Sequence, residues 1–301
     1  MVFSQVLRRV RYAFISPLLN EAREQTHLLR SQHDFLRSQH DFLLSMKWAT
    51  TVRELKNPLN RFGAKFFSQS DEDGITLEIL RRLGLKNGTF LELGVGDGTE
   101  NNTLVLLSIG WRGAWIGGEE LAFDPHINPR RLSYIKAWVS LENLNALVSQ
   151  ALGDIGVSDV DVLSVDLDGN DLYFTDALLK TLHPKLVIVE YNAKFPPPAR
   201  WSIKYDPDFR WDGTNPDDYQ GASLCSFCDL LAQFNYTLIC CNAATGVNAF
   251  FVKNDSLSAF RDVPQDINNI FINRQYELPT RFGHDTSPKT IEQMLCGGDT
   301  G

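Results

Sequence analysis

Between Lys65 and Lys253 short apolar runs alternate with amphipathic stretches, and this alternation constrains the fold more than any other feature of the chain. Thr89–Leu93 (TFLEL), Gly113–Ile116 (GAWI), Tyr134–Val139 (YIKAWV), Asp161–Val165 (DVLSV) and Leu186–Val189 (LVIV) read as strands. The last two are continuously apolar, which suits central parallel strands covered on both faces. Helical patterns occupy Leu141–Leu152, Leu172–Leu182 and Ser223–Phe234. Thr237–Cys241 (TLICC) and Asn248–Val252 (NAFFV) follow, joined by a short turn at Thr245-Gly246. The expected fold is α/β: a doubly wound, Rossmann-like, seven-stranded sheet with one antiparallel strand, preceded by an N-terminal helical extension. The expected boundaries are a helical region over 1–50, a domain over 51–255 and a polar C-terminal extension over 256–301.

Composition narrows the class. With 43% hydrophobic and 22% charged residues, the 301-residue chain can bury a sizeable core, which excludes global disorder. A net charge of −8 argues against nucleic acid as a partner, because phosphate contacts need clustered cations. Five cysteines, an odd number, point to a reducing compartment rather than a disulfide scaffold. No apolar run reaches the roughly 18 residues of a membrane span. Arg8, Arg9 and Arg11 interrupt the apolar stretch that a secretory signal would need. The expectation is a cytoplasmic protein.

Two N-terminal patterns stand apart. Val2, Phe3, Val6, Leu7, Val10, Phe14 and Leu18 recur at helical spacing among arginines, so residues 1–20 suit either peripheral membrane contact or packing on the protein's own body. A perfect seven-residue repeat then runs from Arg30 to Leu36 and from Arg37 to Leu43, both copies reading RSQHDFL. Heptad spacing suggests a short coiled coil and a homo-oligomer through residues 20–46, along a seam of Leu29, His33, Leu36, His40 and Leu43.

The strongest local signal is Phe90-Leu-Glu-Leu-Gly-Val-Gly-Asp-Gly98, a strand running into glycines at alternate positions. Gly94, Gly96 and Gly98 let the backbone turn sharply and approach a ligand near a helix N-terminus. The third glycine comes one residue early for a dinucleotide fingerprint, and no G-K-[ST] follows. Glu92 would repel a pyrophosphate but suits an amino-bearing or cationic ligand, such as S-adenosylmethionine.

This strand and loop resemble motif I of class I S-adenosylmethionine-dependent methyltransferases. The wider set is similar to the FkbM-type branch: Phe67-Ser-Gln-Ser-Asp-Glu-Asp-Gly74, Gly110-Trp-Arg-Gly113, Val165-Asp-Leu-Asp-Gly-Asn-Asp171, Val189-Glu-Tyr-Asn192 and Gly246-Val-Asn-Ala-Phe-Phe251. The resemblance covers roughly residues 65–255 and implies a strand order of 3-2-1-4-5-7-6. It also implies an acid at the end of strand 2 for the cofactor ribose. Glycine stands at the first such position, Gly117, which leaves Glu119 as the candidate with Glu120 behind it.

A second constellation is acidic. Asp166 and Asp168 end strand 4, and Glu190 and Asn192 end strand 5. Adjacent strand ends open into one crevice, and oxygen ligands without cysteine or histidine suit Mg²⁺. The set looks like that of metal-dependent O-methyltransferases, which implies a cation that acidifies the acceptor hydroxyl, with Asp166 also a candidate base. The alternative is that Asp168-Gly-Asn-Asp171 caps the next helix. The long Ala193–Gly221 loop sets Trp201, Tyr205, Phe209, Trp211 and Tyr219 among Asp206, Asp208, Asp212, Asp217 and Asp218. It suits either a carbohydrate acceptor or a loop folded on its own aromatic core. Cys225, Cys228, Cys240 and Cys241 read as buried thiols, and His126 and His284 as minor candidates for a base. The expected activity is O-methyl transfer to a sugar or another polyhydroxylated metabolite. A metal-dependent nucleotide-sugar glycosyltransferase and a non-catalytic adaptor of the same fold remain as alternatives.

Overall fold

The computed structural model describes residues 2–125, 131–211, 218–274 and 286–295; within the first helix it describes side chains from Glu21 onward except those of residues 34 and 44, and within the last helix it leaves out those of 293 and 295. The chain divides into two compact units, Met1–Lys47 and Trp48–Gly301. The first unit is helical, as the repeat predicts, and α1 spans Val2–Thr51. The expected membrane-contacting side chains of residues 1–20 lie outside the described ones. No described helix is long and apolar enough to cross a membrane.

The second unit is built on seven strands: β1 (Thr89–Leu93), β2 (Arg112–Gly117), β3 (Leu132–Lys136), β4 (Val162–Val165), β5 (Leu186–Glu190), β6 (Tyr236–Cys241) and β7 (Asn248–Lys253). Their order is β3-β2-β1-β4-β5-β7-β6, as expected. β7 runs antiparallel to both β5 and β6, and the other pairs are parallel. The helices are α2 (Glu72–Arg82), α3 (Leu104–Ser108), α4 (Leu144–Asp154), α5 (Asp171–Leu179), α6 (Leu224–Gln233) and α7 (Pro288–Leu295).

Alternation along the strands makes two cores. Leu91, Leu93, Leu163, Val165, Val187 and Val189 face α4, α5 and α6, packing with Val148, Leu178 and Phe227. Phe90, Trp115, Val162, Leu186, Ile188 and Phe250 face the other way, onto Ile75 and Ile79 of α2 and Leu106 of α3. Both faces of the central strands are therefore dry, which explains their uninterrupted apolar runs.

The helices after β3 and β4 are offset from the sequence reading by one to three residues at their ends, and two other boundaries differ for a reason the structure shows. β3 ends at Lys136 rather than Val139, because Trp138 turns outward, donates to the carbonyl of Pro207 at 2.9 Å and lies under the guanidinium of Arg210. The expected C-terminal extension also begins inside the core. Phe260 and Val263 are buried on one face of the sheet, and Ile270 and Ile272 on the other. Phe260 and Val263 stand among polar residues, and Ile270-Phe271-Ile272 is too short a run to show a helical or strand period.

The Ser70-Asp-Glu-Asp73 run acts as a staple. Asp73 accepts the backbone N–H groups of Phe66, Phe67 and Ser68 at 2.6–2.9 Å. Asp71 accepts those of Ala243 and Ala244, and Glu72 accepts from Asn242, all at 2.9 Å. The N-terminus of α2 is thereby tied to the β6–β7 turn at the carboxyl end of β5. Burial beside Glu72 pushes Asp71 up to about 6.

Gly94 and Gly96 both hold positive φ, +90° and +49°, but for different reasons. A Cβ on Gly94 would overlap the carbonyl oxygen of Asp166, whereas one on Gly96 would point into open space. Gly94→Ala should destabilise the fold by about 3 kcal/mol or more, and Gly96→Ala by about 1 kcal/mol. Urea unfolding of the two variants checks this, and equal losses would contradict it.

Candidate active site

The candidate site lies at the carboxyl ends of β1, β2, β4 and β5. Its first wall is the glycine loop. Gly94 donates to the carbonyl of Ile116 at 3.0 Å and sits against Asp166, so the loop is pressed between β2 and β4. Gly98 is crowded by Leu121 and Phe123, and Asp97 holds the following turn by accepting from Thr99. Only Gly96 of the three faces open space. Glu92 is buried, and burial raises its pKa. Its carboxylate accepts the N–H of Asn102 at 2.9 Å, the N–H of Thr103 at 3.1 Å and the Thr103 hydroxyl. Both oxygens are thus engaged in the turn that leads into α3. Glu119 is exposed beyond β2 with its carbonyl accepting from the Tyr134 hydroxyl, while Glu120 pairs with Lys136 at 2.6 Å.

The second wall is acidic. Asp166, Asp168 and Glu190 each bring a carboxylate oxygen to within 4.8 Å of the others. Desolvation, then the charges of neighbouring carboxylates, pushes Asp166 and Glu190 well above the usual range; Asp168 is also raised by desolvation, although its side chain reaches solvent. Asp168 holds a φ of +59°, a conformation that asparagine and aspartate tolerate better than other side chains. Asp171 explains how. It accepts the N–H of Leu167 at 2.6 Å and of Gly169 at 2.7 Å, gripping the backbone on both sides of Asp168. The helix-cap alternative does not describe these bonds: Asn170, at the N-cap of α5, makes no side-chain cap bond, and the Asp171 carboxylate serves the turn before the helix, while Asp168 is left to the cluster. Burial holds Asp171 up to about 6.

Asn192 is placed differently from its expected role beside these carboxylates. Its amide nitrogen donates to the carbonyls of Asp218 and Gln220 at 2.9 and 3.0 Å, and its oxygen accepts from the N–H of Lys194 at 3.1 Å. The side chain pins the long loop instead. That loop is folded on its own small core: Phe195 stacks on Trp201 with centroids 4.0 Å apart, and Ile203 and Phe209 pack beside them. Tyr205 accepts the N–H of Leu141, and Asp218 forms a buried ion pair with Lys194. The loop still borders the site, because Phe209 lies against Gly169 and Asn170 bonds both ways with the backbone of Asp206.

Sequence reasoning missed two further residues. Asn248 is paired with Glu190 across β5 and β7, so the two side chains share a face at the open end of the sheet. Its nitrogen donates to Glu72 at 3.2 Å, and its buried oxygen has no partner among the described residues. The signal was available in the Gly246–Phe251 motif. Arg274 lowers the pKa values of Asp168 and Glu190 by its charge, and nothing in its local sequence marks it. His126, His284, Asp212 and Asp217 lie outside the described residues. Cys225, Cys240 and Cys241 are buried, as expected, and Cys228 is half-buried.

No family model and no curated protein matches the chain. Solved structures that resemble it include CalO1, a methyltransferase in calicheamicin biosynthesis in its SAH-bound form, at 12% identity and a TM-score of 0.34. The match covers 60% of this chain and 56% of CalO1, so the chain spans little more than half the length of that protein. The N-terminal domain of EvdMO1, solved in the presence of SAH and D-fucose, matches at 12% identity and a TM-score of 0.37, over 64% of this chain and 89% of its own. A precorrin-6y C5,15-methyltransferase from Geobacter metallireducens matches at 14% and 0.34, over 65% and 97%. Likenesses of this size carry no argument about activity, and the fold rests on the strand order above.

The crowding of the three carboxylates has a measurable consequence. Raised pKa values mean that the folded protein holds more protons than the unfolded chain. Cation-free stability from this cluster should therefore fall as pH rises through the folded pKa values. A divalent cation should reverse this, and its stabilising effect should grow from about pH 5 to about pH 8 as protons cease to compete. Thermal unfolding in chelator and in Mg²⁺, Mn²⁺ or Ca²⁺ measures it. Asp166→Asn should weaken the cation's effect, and an unchanged melting temperature with every cation would contradict the reading.

Proposed function

We propose that this chain is an FkbM-type, S-adenosylmethionine-dependent O-methyltransferase acting on a hydroxyl of a sugar or another polyhydroxylated small molecule, with Mg²⁺ assistance. The observation that carries the reading is one contact. Gly94 of the glycine loop rests on the carbonyl of Asp166, so the loop that would take the methyl donor adjoins the carboxylates that would take the acceptor. Open space at Gly96 supports a ligand there, because a Cβ at that position would enter it. Three carboxylates with no nitrogen or sulfur ligand in their group fit a hard cation.

When bound, S-adenosylmethionine supplies an electrophilic methyl group on a sulfonium, and Mg²⁺ supplies charge that favours the ionised form of a bound hydroxyl. The residues divide the remaining tasks. Gly94 and Gly98 fix the path of the loop, and Gly96 leaves it open to the ligand. Glu92 holds the 99–103 turn under the methionine end, and Glu119 is the candidate for the ribose hydroxyls. Asp166, Asp168 and Glu190 would hold the cation, and Asp166 is also the candidate base for the proton that leaves the acceptor oxygen. Asn192 serves by anchoring the aromatic loop, whose Phe209 and Trp211 are candidates for contact with the acceptor.

Incubation with methyl-labelled S-adenosylmethionine and a panel of sugars, nucleotide sugars and small polyols tests the reading. Label should pass to a hydroxyl compound, and Asp166→Asn should lower the rate at least about a hundredfold, the scale of losing a positioned base or metal ligand. Gly96→Asn, which keeps a residue tolerant of positive φ, should weaken cofactor binding while the fold survives. Transfer of a glycosyl group from a nucleotide sugar, with no methyl transfer, would replace this reading with the glycosyltransferase one.

A further inference from the structure

The heptad repeat is the one strong sequence feature that the proposed reaction does not use. In α1, Leu28, Leu29, Phe35, Leu36, Phe42 and Leu43 are each between 52% and 65% exposed. At 100° per residue they form one stripe, two apolar side chains every seven residues, with Gln32 and Gln39 along its middle. This differs from the predicted seam: Phe35 and Phe42 belong to it, and His33 and His40 fall at its margin. Arg30, Arg37 and Asp41 lie on the opposite side of the helix, and the stripe itself consists of apolar and carboxamide side chains without formal charge.

We propose that this stripe is covered by the same stripe of a second copy of the chain, forming a helix-paired dimer through residues 28–43. Two observations favour a second copy over a lipid surface. The stripe would place Gln32 and Gln39 in the middle of whatever covers it, and a carboxamide buried in hydrocarbon loses its water without gaining a partner. Another copy presents the same amides, each with a donor and an acceptor, and polar side chains at such positions set the register of paired helices. The area also suffices: six side chains per copy, on the order of 100 Å² each, give roughly 1,200 Å² over two copies, the lower end of stable interfaces. An interface of that size makes a reversible dimer, and the absence of like charges on the stripe removes the commonest obstacle to self-pairing.

Sedimentation velocity of the full chain over about a hundredfold range of concentration is the test. The wild-type protein should pass from monomer to dimer. Phe35→Glu combined with Phe42→Glu should remain monomeric with unchanged helical circular dichroism, as both positions face solvent in the single chain. Arg30→Ala, on the far side, should behave as wild type. Should the double variant lose helicity, Leu36→Cys gives a second readout: mild oxidation should cross-link it into a covalent dimer that Arg30→Cys does not form. A wild-type monomer at every concentration would overturn the proposal, as would a dimer that persists in the double variant. So would a chain that stays monomeric yet floats with phosphatidylcholine–phosphatidylserine vesicles.

Discussion

Like-charge crowding at the open end of the sheet is the constraint around which the rest of the second unit is arranged. Asp166, Asp168 and Glu190 stand within one ligand's reach of each other, and Asp171 and Glu92 add charge from behind. In a medium that screens poorly, such a group is stable only if it keeps protons or meets a positive charge. The fold gives partial relief through Arg274 and through the backbone N–H groups that Asp171 and Glu92 bind. The unrelieved part is what retained protons, or the proposed cation, would neutralise. A core that needed only stability would have apolar side chains at these strand ends.

The glycine loop meets the same constraint from the other side. Its first residue must lack a Cβ because the β4 carbonyl occupies that space, and its middle residue borders open space. The contact sets the glycine loop and the acidic cluster at a fixed spacing. Behind them, α2 ties its own N-terminus to the β6–β7 turn through Asp71 and Glu72, and so holds Asn248 and the end of β5 in place. These acidic residues are structural, although in sequence they look as chemical as Asp166.

Much of this was legible in the sequence, for a physical reason. Strands buried on both faces are mostly apolar, so β1, β4 and β5 could be placed almost to the residue despite Glu92 and Ser164 within them, and the carboxylates ending β4 and β5 had to converge. What could not be read was the direction of side chains governed by distant backbone. Asn192 turns toward the carbonyls of Asp218 and Gln220, and no local pattern records that choice. Arg274 reaches the site from a segment of scattered apolar residues that looked like an extension. The aromatic loop offered two readings, and its stacked Phe195–Trp201 pair shows the self-packed one for those residues. In α1 the repeat was plain, but the apolar side chains it repeats, Phe35 and Leu36, then Phe42 and Leu43, centre the stripe toward Phe35 and Phe42 and leave His33 and His40 at its margin.

Whether the glycine loop and the acidic cluster form one site for a methyl donor and a cation-held hydroxyl is decided by calorimetric titration of the full chain with S-adenosylmethionine and with S-adenosylhomocysteine, each with and without Mg²⁺. A shared site predicts binding of both compounds, one per chain. It also predicts a separate Mg²⁺ binding event that Asp168→Asn together with Glu190→Gln removes while cofactor binding is kept. No heat with either compound, in protein of native circular dichroism, would contradict the account and leave a methyltransferase-like fold that binds no cofactor.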